Sequence, residues 1–536
     1  MKNKKYTGIV CVVLILVMLM MVTGCGNNEV VQEEADSSEN IEATFNPEDS
    51  GALQMAVTRP SSLNPLFNGN ESLTQMYHLV YEGLVTFNEN REIEPELAKE
   101  WEWDERGQSI TFTLRSNVTW HDGELFKPED VIFTINAMKN KVSNLDYPFI
   151  HADIINQIAD ARKVSDHQVQ ISFSRPFSGG LEALVFPILP QHLFDGSGSS
   201  LLTSDDFPII GTGRYQIVEH DMSRTFKLNY YPDYWGESPY IKEIFVSVVP
   251  DREAAMSMFE SGEIDIVEPL SIDWTKHTDR DEVTGKSFLS NKYEFIGVNF
   301  TNEWMDQKEL RQAIAYAIDR EQILQQLYFN HGVVTDTPVF PHSWLSASDE
   351  LTYSFHQETA RQMIQGLEIP EETVFTLLTN EDNQLRVATA HVIAEQLSEV
   401  GLAVEVEKAD WEDFQDRIAQ RDYDMVLAGW HLSFLPDFSF AFHSTQRDAG
   451  NFIQYQNDDM DEILENIFGA ANQNQKQEEW GRFQRLFVEE MPYISLFYKN
   501  HAILHRETLK GDLKPHAFNL FNGIENAYVM KVETED

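Results

Sequence analysis

Thiols, histidines, paired carboxylates and glycine turns are the groups from which a reactive centre is built, and in this chain none falls into a catalytic spacing. The only thiols are Cys11 and Cys25, both within the first 25 residues. The rest of the chain therefore has no thiolate nucleophile, no disulfide and no thiolate metal site. No His-Glu-x-x-His run, no phosphate-binding Gly-x4-Gly-Lys-Ser/Thr loop and no Gly-x-Ser-x-Gly elbow occurs. Gly196-Ser197-Gly198 reads as a Ser/Gly-rich turn. Gly211-Thr212-Gly213 lacks the third glycine of a dinucleotide fingerprint and reads as a turn before a strand from Tyr215 to Val218. His431 and His443 are twelve residues apart, which fixes no ligand geometry. Asp422 and Asp424 flank Tyr423 and read as solvent-facing carboxylates beside a strand.

A chain without a reactive centre can still bind, and the elements that would position binding groups are legible. Gln54 to Val57 reads as a short strand. Ser72 to Tyr81 places Leu73, Met76, Tyr77 and Val80 at helical spacing. Ile110 to Leu114 and Gln168 to Phe173 alternate with period two. Pro128-Glu129-Asp130 reads as a helix first turn. Glu309 to Leu327 predicts one amphipathic helix, carrying Leu310, Ile314, Ala317, Ile318 and Ile323. Gln384 to Val400 predicts another, closed by Gly401 and followed by a strand from Ala403 to Val406. Helix, glycine, strand is the rhythm of an α/β lobe. The end of the chain, Ala502 to Val532, has strand-like pieces able to return to the first lobe.

With 536 residues the chain exceeds one ordinary domain, and 42% hydrophobic residues suffice for sizeable cores. The formal net charge is -47, from 87 acidic against 40 basic residues. Such a surface repels phosphate backbones, which argues against a nucleic-acid partner.

The N-terminus has the order of an export signal. Lys2, Lys4 and Lys5 precede an apolar run from Gly8 to Val22, which ends in small residues before Cys25. Val22-Thr23-Gly24-Cys25 resembles a bacterial lipobox. The resemblance implies cleavage before Cys25 and a diacylglycerol on its sulfur, so that residues 1–24 are a lipoprotein signal peptide. An uncleaved anchor is the alternative, and both tether the body outside the membrane. Residues 25–50 carry recurrent acidic groups and no basic one, which reads as a flexible, self-repelling tether.

Trp120-His121-Asp122-Gly123, followed by Phe126, Glu129, Asp130, Val131 and Phe133, resembles the signature of the family 5 bacterial solute-binding proteins, the peptide and nickel receptors of ABC importers. Leu63-Asn64-Pro65, Tyr81-Glu82-Gly83-Leu84 and Glu94-Pro95-Glu96-Leu97-Ala98 resemble further blocks of that family. So do Gly211-Thr212-Gly213-Arg214-Tyr215, Asp233-Tyr234-Trp235-Gly236, and Arg311-Gln312-Ala313-Ile314 through Ala317-Ile318-Asp319-Arg320. The likeness runs from about Leu63 to Tyr498. It implies an α/β fold of the periplasmic-binding-protein type (type II, cluster C): a two-lobed hinge with an additional inserted domain. Lobe I is then discontinuous, 51–81 plus 206–295 plus 500–536, with lobe II at 82–205 and lobe III at 296–499. These blocks read as fold-maintaining turns and caps, not as ligand contacts.

The resemblance also implies where a ligand sits. Receptors of this family hold an extended peptide by main-chain hydrogen bonds from both lobes, which is strand addition inside a cleft. Matching places one edge at Gly69, Asn70 and Glu71 and the other at Gly429, Trp430 and His431. The family's amine-binding Asp falls on Ser433. Asp437, Glu71 or another carboxylate then replaces it, or the ligand has no free amine. Trp411 and Tyr498 match pocket aromatics, with core packing as the rival reading. Arg386 is a candidate for a carboxylate, with a solvated helix face as its rival. The implied function is capture of a peptide outside the membrane and delivery to permease and ATPase subunits. The protein is then a monomer without cofactor, metal or enzymatic activity. The alternatives are a receptor for a nickel chelate or other non-peptide solute, a sensor, or an enzyme that kept the fold.

Overall fold

The computed structural model describes residues 46–142, 155–194, 202, 206–347, 351–435 and 437–531. The signal segment, Cys25, most of the acidic tether and Gly196-Ser197-Gly198 lie outside the described residues.

Three sheets organise the body. Leu53–Thr58 pairs in parallel with Glu243–Val249, which continues antiparallel through Thr225–Tyr230 to Tyr215–Asp221. A second antiparallel sheet, Ala98–Trp103, Ser109–Leu114, Gln168–Phe173 and Ile158–Ser165, falls wholly within residues 82–205. The third is seven-stranded and is built on Val283–Val298 and Tyr493–Arg506. The first strand shows why such segments pair: Leu53, Met55 and Val57 are buried while their neighbours are not, the period-two burial of a half-covered sheet. Near the chain end, Val529 O accepts from Gly51 N–H at 2.8 Å.

Helix ends follow local chemistry. Asn383 caps Gln384–Glu399 by accepting from Arg386 N, and Gly401 then turns the chain in the left-handed region at φ 95°. Asn70 caps Glu71–Tyr77 by accepting from Leu73 N at 2.9 Å. The single helix predicted over Glu309–Leu327 is two, Lys308–Ala317 and Arg320–Leu327. Between them Ile318 is extended, and Asp319 caps the second helix by accepting from Gln322 N. A good capping residue competes with helix continuation, and here the cap wins. The break also frees Arg320 to pair with Asp336 at 2.7 Å in a buried setting.

The family-like blocks meet one another. His121 Nδ1 accepts from Gly211 N at 3.2 Å and its Nε2 donates to Gly213 O at 2.9 Å. Glu82 accepts from Tyr234 Oη at 2.7 Å and from Trp235 Nε1. Arg311 is buried and donates to the carbonyls of Met305, Asp306, Glu490 and Met491. Asp422 is exposed, but Asp424 is half-buried, contrary to its solvent-facing expectation. It accepts from Thr376 N at 2.8 Å and Asn302 Nδ2 at 2.7 Å, so its carboxylate joins strand to loop.

Candidate functional site

The site grows from a defect in the long strand pair. Val283 through Leu289 pairs with Arg506 through Asn500, and pairing resumes at Tyr293↔Tyr498. Ser290, Asn291 and Lys292 fall in the gap, a bulge that re-aims its side chains. Ser290 Oγ donates to Lys499 O at 2.7 Å. Asn291 bonds Leu432 in both directions, O from Leu432 N and Nδ2 to Leu432 O, each 3.0 Å. Lys292 Nζ lies 3.0 Å from His501 Nε2.

The strand Met425–His431 carries the second expected edge. One side of it pairs with the long strand: Gly429 with Glu294, Trp430 with Tyr293, His431 with Lys292. Its other neighbour, Phe375–Asn380, pairs only at Met425 and Val426. Gly429–His431 thus keeps one edge unpaired among the described strands. Glycine is required at 429, because a Cβ there would sit 2.8 Å from Arg386 Nη2 and 2.8 Å from Glu294 Oε1.

Trp430 and His431 of this strand line a cavity of about 670 Å³, within the range of about 300–1,000 Å³ usual for small-ligand sites. Its walls are aromatic: Phe87, Phe340, Trp344, Trp430, Phe434 and Tyr498. Trp430 packs edge-on to Phe440 at 5.2 Å and Tyr498 against Phe340 at 5.4 Å. Tyr498 is fully buried, with its hydroxyl donating to Pro338 O. His431, Ser433 and Asp437 also line the cavity. Ser433 Oγ accepts from Leu435 N at 3.1 Å, and Asp437 Oδ1 accepts from Ser439 N at 2.8 Å.

The cavity closes between two parts of the chain. Phe87, from segment 82–205, meets Phe434, from segment 296–499, with centroids 5.3 Å apart. Ser178 N donates to Phe468 O at 2.8 Å, and Lys476 forms a buried ion pair with Glu182. Arg91, which sequence reasoning missed, enters from the hairpin between Val85–Phe87 and Ile93–Pro95. Its guanidinium lies 3.2 Å from the Phe340 centroid and donates to Asn291 Oδ1. Burial without a compensating carboxylate lowers it to about 10.

Other expected residues lie elsewhere. Gly69, Asn70 and Glu71 line a separate cavity of about 310 Å³ with Arg252 and Glu268. Glu71 nonetheless acts electrostatically on Lys292 and His431, which links this edge to the other. Arg386, Trp411 and Gly429 line a third cavity of about 530 Å³, which shares Trp430 with the first. Arg386 is not a solvated helix face: Nε and Nη2 reach Glu294 at 3.0 Å each. Trp411 is 54% exposed and stacks on Phe414. Arg91 left only a weak sequence signal, a basic residue at the tip of the turn Asn88-Glu89-Asn90-Arg91. Among the described residues no group of three His, Cys, Asp or Glu side chains is arranged to hold a metal, and no helix is long and apolar enough to cross a membrane.

Comparison with known proteins follows the same lines. Residues 92–451 match the model for bacterial extracellular solute-binding proteins, family 5 (middle). The oligopeptide-binding protein AppA of Bacillus subtilis is 24% identical over 536 residues, covering 95% of this chain and 96% of the relative. Its structure with a nonapeptide has a TM-score of 0.63 at 25% identity, over 90% of this chain and 99% of that one. HbpA2 of Haemophilus parasuis superimposes with a TM-score of 0.79 at 18% identity, over 90% of this chain and all of that one.

Proposed function

This chain belongs to the bacterial extracellular solute-binding proteins of family 5, and from that membership we propose that it captures peptides outside the membrane for an ABC importer. The observation that carries this reading is the aromatic cavity of about 670 Å³, lined by Trp430 and His431 of a strand whose other edge is unpaired there. An open edge offers main-chain hydrogen bonds to any extended peptide, and aromatic walls bury side chains without reading their identity. The relative AppA, named for oligopeptide binding, supports the choice of solute.

In this reading 51–81 plus 206–295 plus 500–536 form lobe I, 82–205 lobe II and 296–499 lobe III. The confinement of one sheet to 82–205 supports the division. The ligand contacts walls from lobes II and III and so binds the closed state better, which is what drives closure. The closed form is then presented to permease subunits coupled to cytoplasmic ATPases. Cys25 carries the lipid that keeps a monomer at the outer face of the membrane. Two or more acyl chains hold firmly, at about 0.8 kcal/mol per buried CH₂. The site performs no covalent chemistry and takes no cofactor.

Native mass spectrometry of the chain from Gly26 onward tests the assignment. A co-purifying mixture of short peptides is the expected result. A clean apo mass, together with no thermal shift from a pool of di- to nonapeptides, would refute it.

A further inference from the structure

Arg91 is held in place by its own turn. Its backbone is left-handed at φ 59°, its N–H donates to Asn88 O at 3.1 Å, and Asn88 Oδ1 accepts from Asn90 N and Glu92 N. The side chain is thereby aimed from segment 82–205 into the central cavity. Three other arginines of the body are matched by carboxylates, Arg320 by Asp336, Arg386 by Glu294, Arg417 by Glu407 and Asp422, and the buried Arg311 is met by four backbone carbonyls. Arg91 has no such partner among the described residues, in a chain that carries 87 acidic groups. Among the described residues only its Nη2 meets a protein acceptor, the neutral Asn291 Oδ1, so Nε and Nη1 are without an acceptor on a side chain that lines the cavity. A planar guanidinium with unused donors beside aromatic walls is shaped for a carboxylate. Among the described residues the cavity's carboxylates form no ion pair with this guanidinium: Glu182 is paired with Lys476, Asp437 holds Ser439 N through Oδ1, and the position matching the family's amine-binding Asp is Ser433.

We propose that the central cavity selects solutes bearing a carboxylate, seated on Arg91. The proposal rests on the reading of the cavity as a solute site, and it adds the ligand's charge. It also makes closure charge-dependent. Arg91 reaches the ligand from one segment while Phe340 and Trp430 belong to the other, so the carboxylate gains its partner only when both are together. The carboxylate is either a peptide C-terminus or an acidic side chain.

Calorimetric titration of the intact chain with two synthetic tri- to pentapeptide libraries, free-acid and C-terminally amidated, tests this. The libraries are used with and without Asp and Glu. Phenylacetate and phenylacetamide serve as a peptide-free pair. Each acid is expected to bind at least about tenfold tighter than its amide, as a charge-assisted bond implies. Arg91→Gln is expected to erase the difference, and Arg91→Lys to keep part of it. Selectivity restored to amides by Asp or Glu would assign the carboxylate to a side chain; selectivity lost in all amides would assign it to the C-terminus. Equal binding of acid and amide by the unaltered chain, or no binding of either in both pairs, overturns the proposal. Peptides that bind without acid preference would overturn it while leaving the peptide reading intact. Acid selectivity for phenylacetate with no peptide binding would refute the peptide reading alone.

Discussion

Arg386 and Glu294 meet fork to fork, Nε to Oε2 at 3.0 Å and Nη2 to Oε1 at 3.0 Å, with Lys499 closing the carboxylate from the other side at 2.6 Å. The cluster sits directly under Gly429 and so supports the backbone edge assigned to the ligand. The two cations hold the Glu294 carboxyl below its ordinary value despite burial. Arg386→Met would leave Glu294 with one partner. Loss of stability by about 3 kcal/mol is expected from urea denaturation, the scale for breaking a buried pair. An unchanged midpoint would show that the pair is energetically idle.

Gly429→Ala puts a methyl group against Arg386 Nη2, Glu294 Oε1 and Tyr293 O, all within 2.9 Å. None of these three can retreat freely. A cost of about 1–3 kcal/mol is expected, with weaker ligand binding from the displaced edge. Thermal melts and titration of the purified variant measure both.

Trp430→Ala removes a wall shared by two cavities and its packing on Phe440. Peptide affinity should fall at least about tenfold. Asp437→Asn should weaken peptides with a free amine and spare N-acetylated ones. Unchanged affinity in both variants would place the ligand in another cavity.

Much of this arrangement was legible in the residues, and the rest was not for definite reasons. The Trp120–Gly123 and Gly211–Tyr215 blocks announced the fold because their turns lock together through His121. Gly401 marked the end of one helix correctly, while Asp319 split another that periodicity alone joined. Gly429–Trp430–His431 could be matched by type, but the reason for the glycine lies in Arg386, 43 positions away in sequence. Glu71 and Gly69 line a different cavity from Trp430, a matter of three-dimensional placement that no local pattern encodes. Arg91 left only its place in a turn as a signal, because its importance comes from what is missing around it.

Acid should destabilise the protein through its buried imidazoles. Burial holds His78, His121 and His516 near 4 and His501 near 3, below the ordinary value of about 6.5. Between about pH 6.5 and 4 the unfolded chain takes up protons that the folded chain refuses. Stability is therefore full above about pH 6.5 and falls as pH drops through that window, by up to about 1.4 kcal/mol per unit for each group. Burial pushes the Glu82, Glu96 and Glu268 carboxyls up, which acts in the opposite sense, so the imidazole share is read by comparison: from pH 7.5 to 4.5 the urea midpoint of the unaltered chain should fall relative to that of His121→Gln. A difference between the two midpoints that does not change with pH would mean that the His121 ring is hydrated.

The central claim is that a solute is trapped by two bodies closing around it, and small-angle X-ray scattering tests this most directly. The soluble chain from Gly26 onward, stripped of bound solute by refolding, is measured with and without a saturating pool of di- to nonapeptides. The account predicts a smaller radius of gyration and a shorter maximum dimension with the pool. Superimposable profiles, at a concentration where calorimetry shows the site filled, would contradict it.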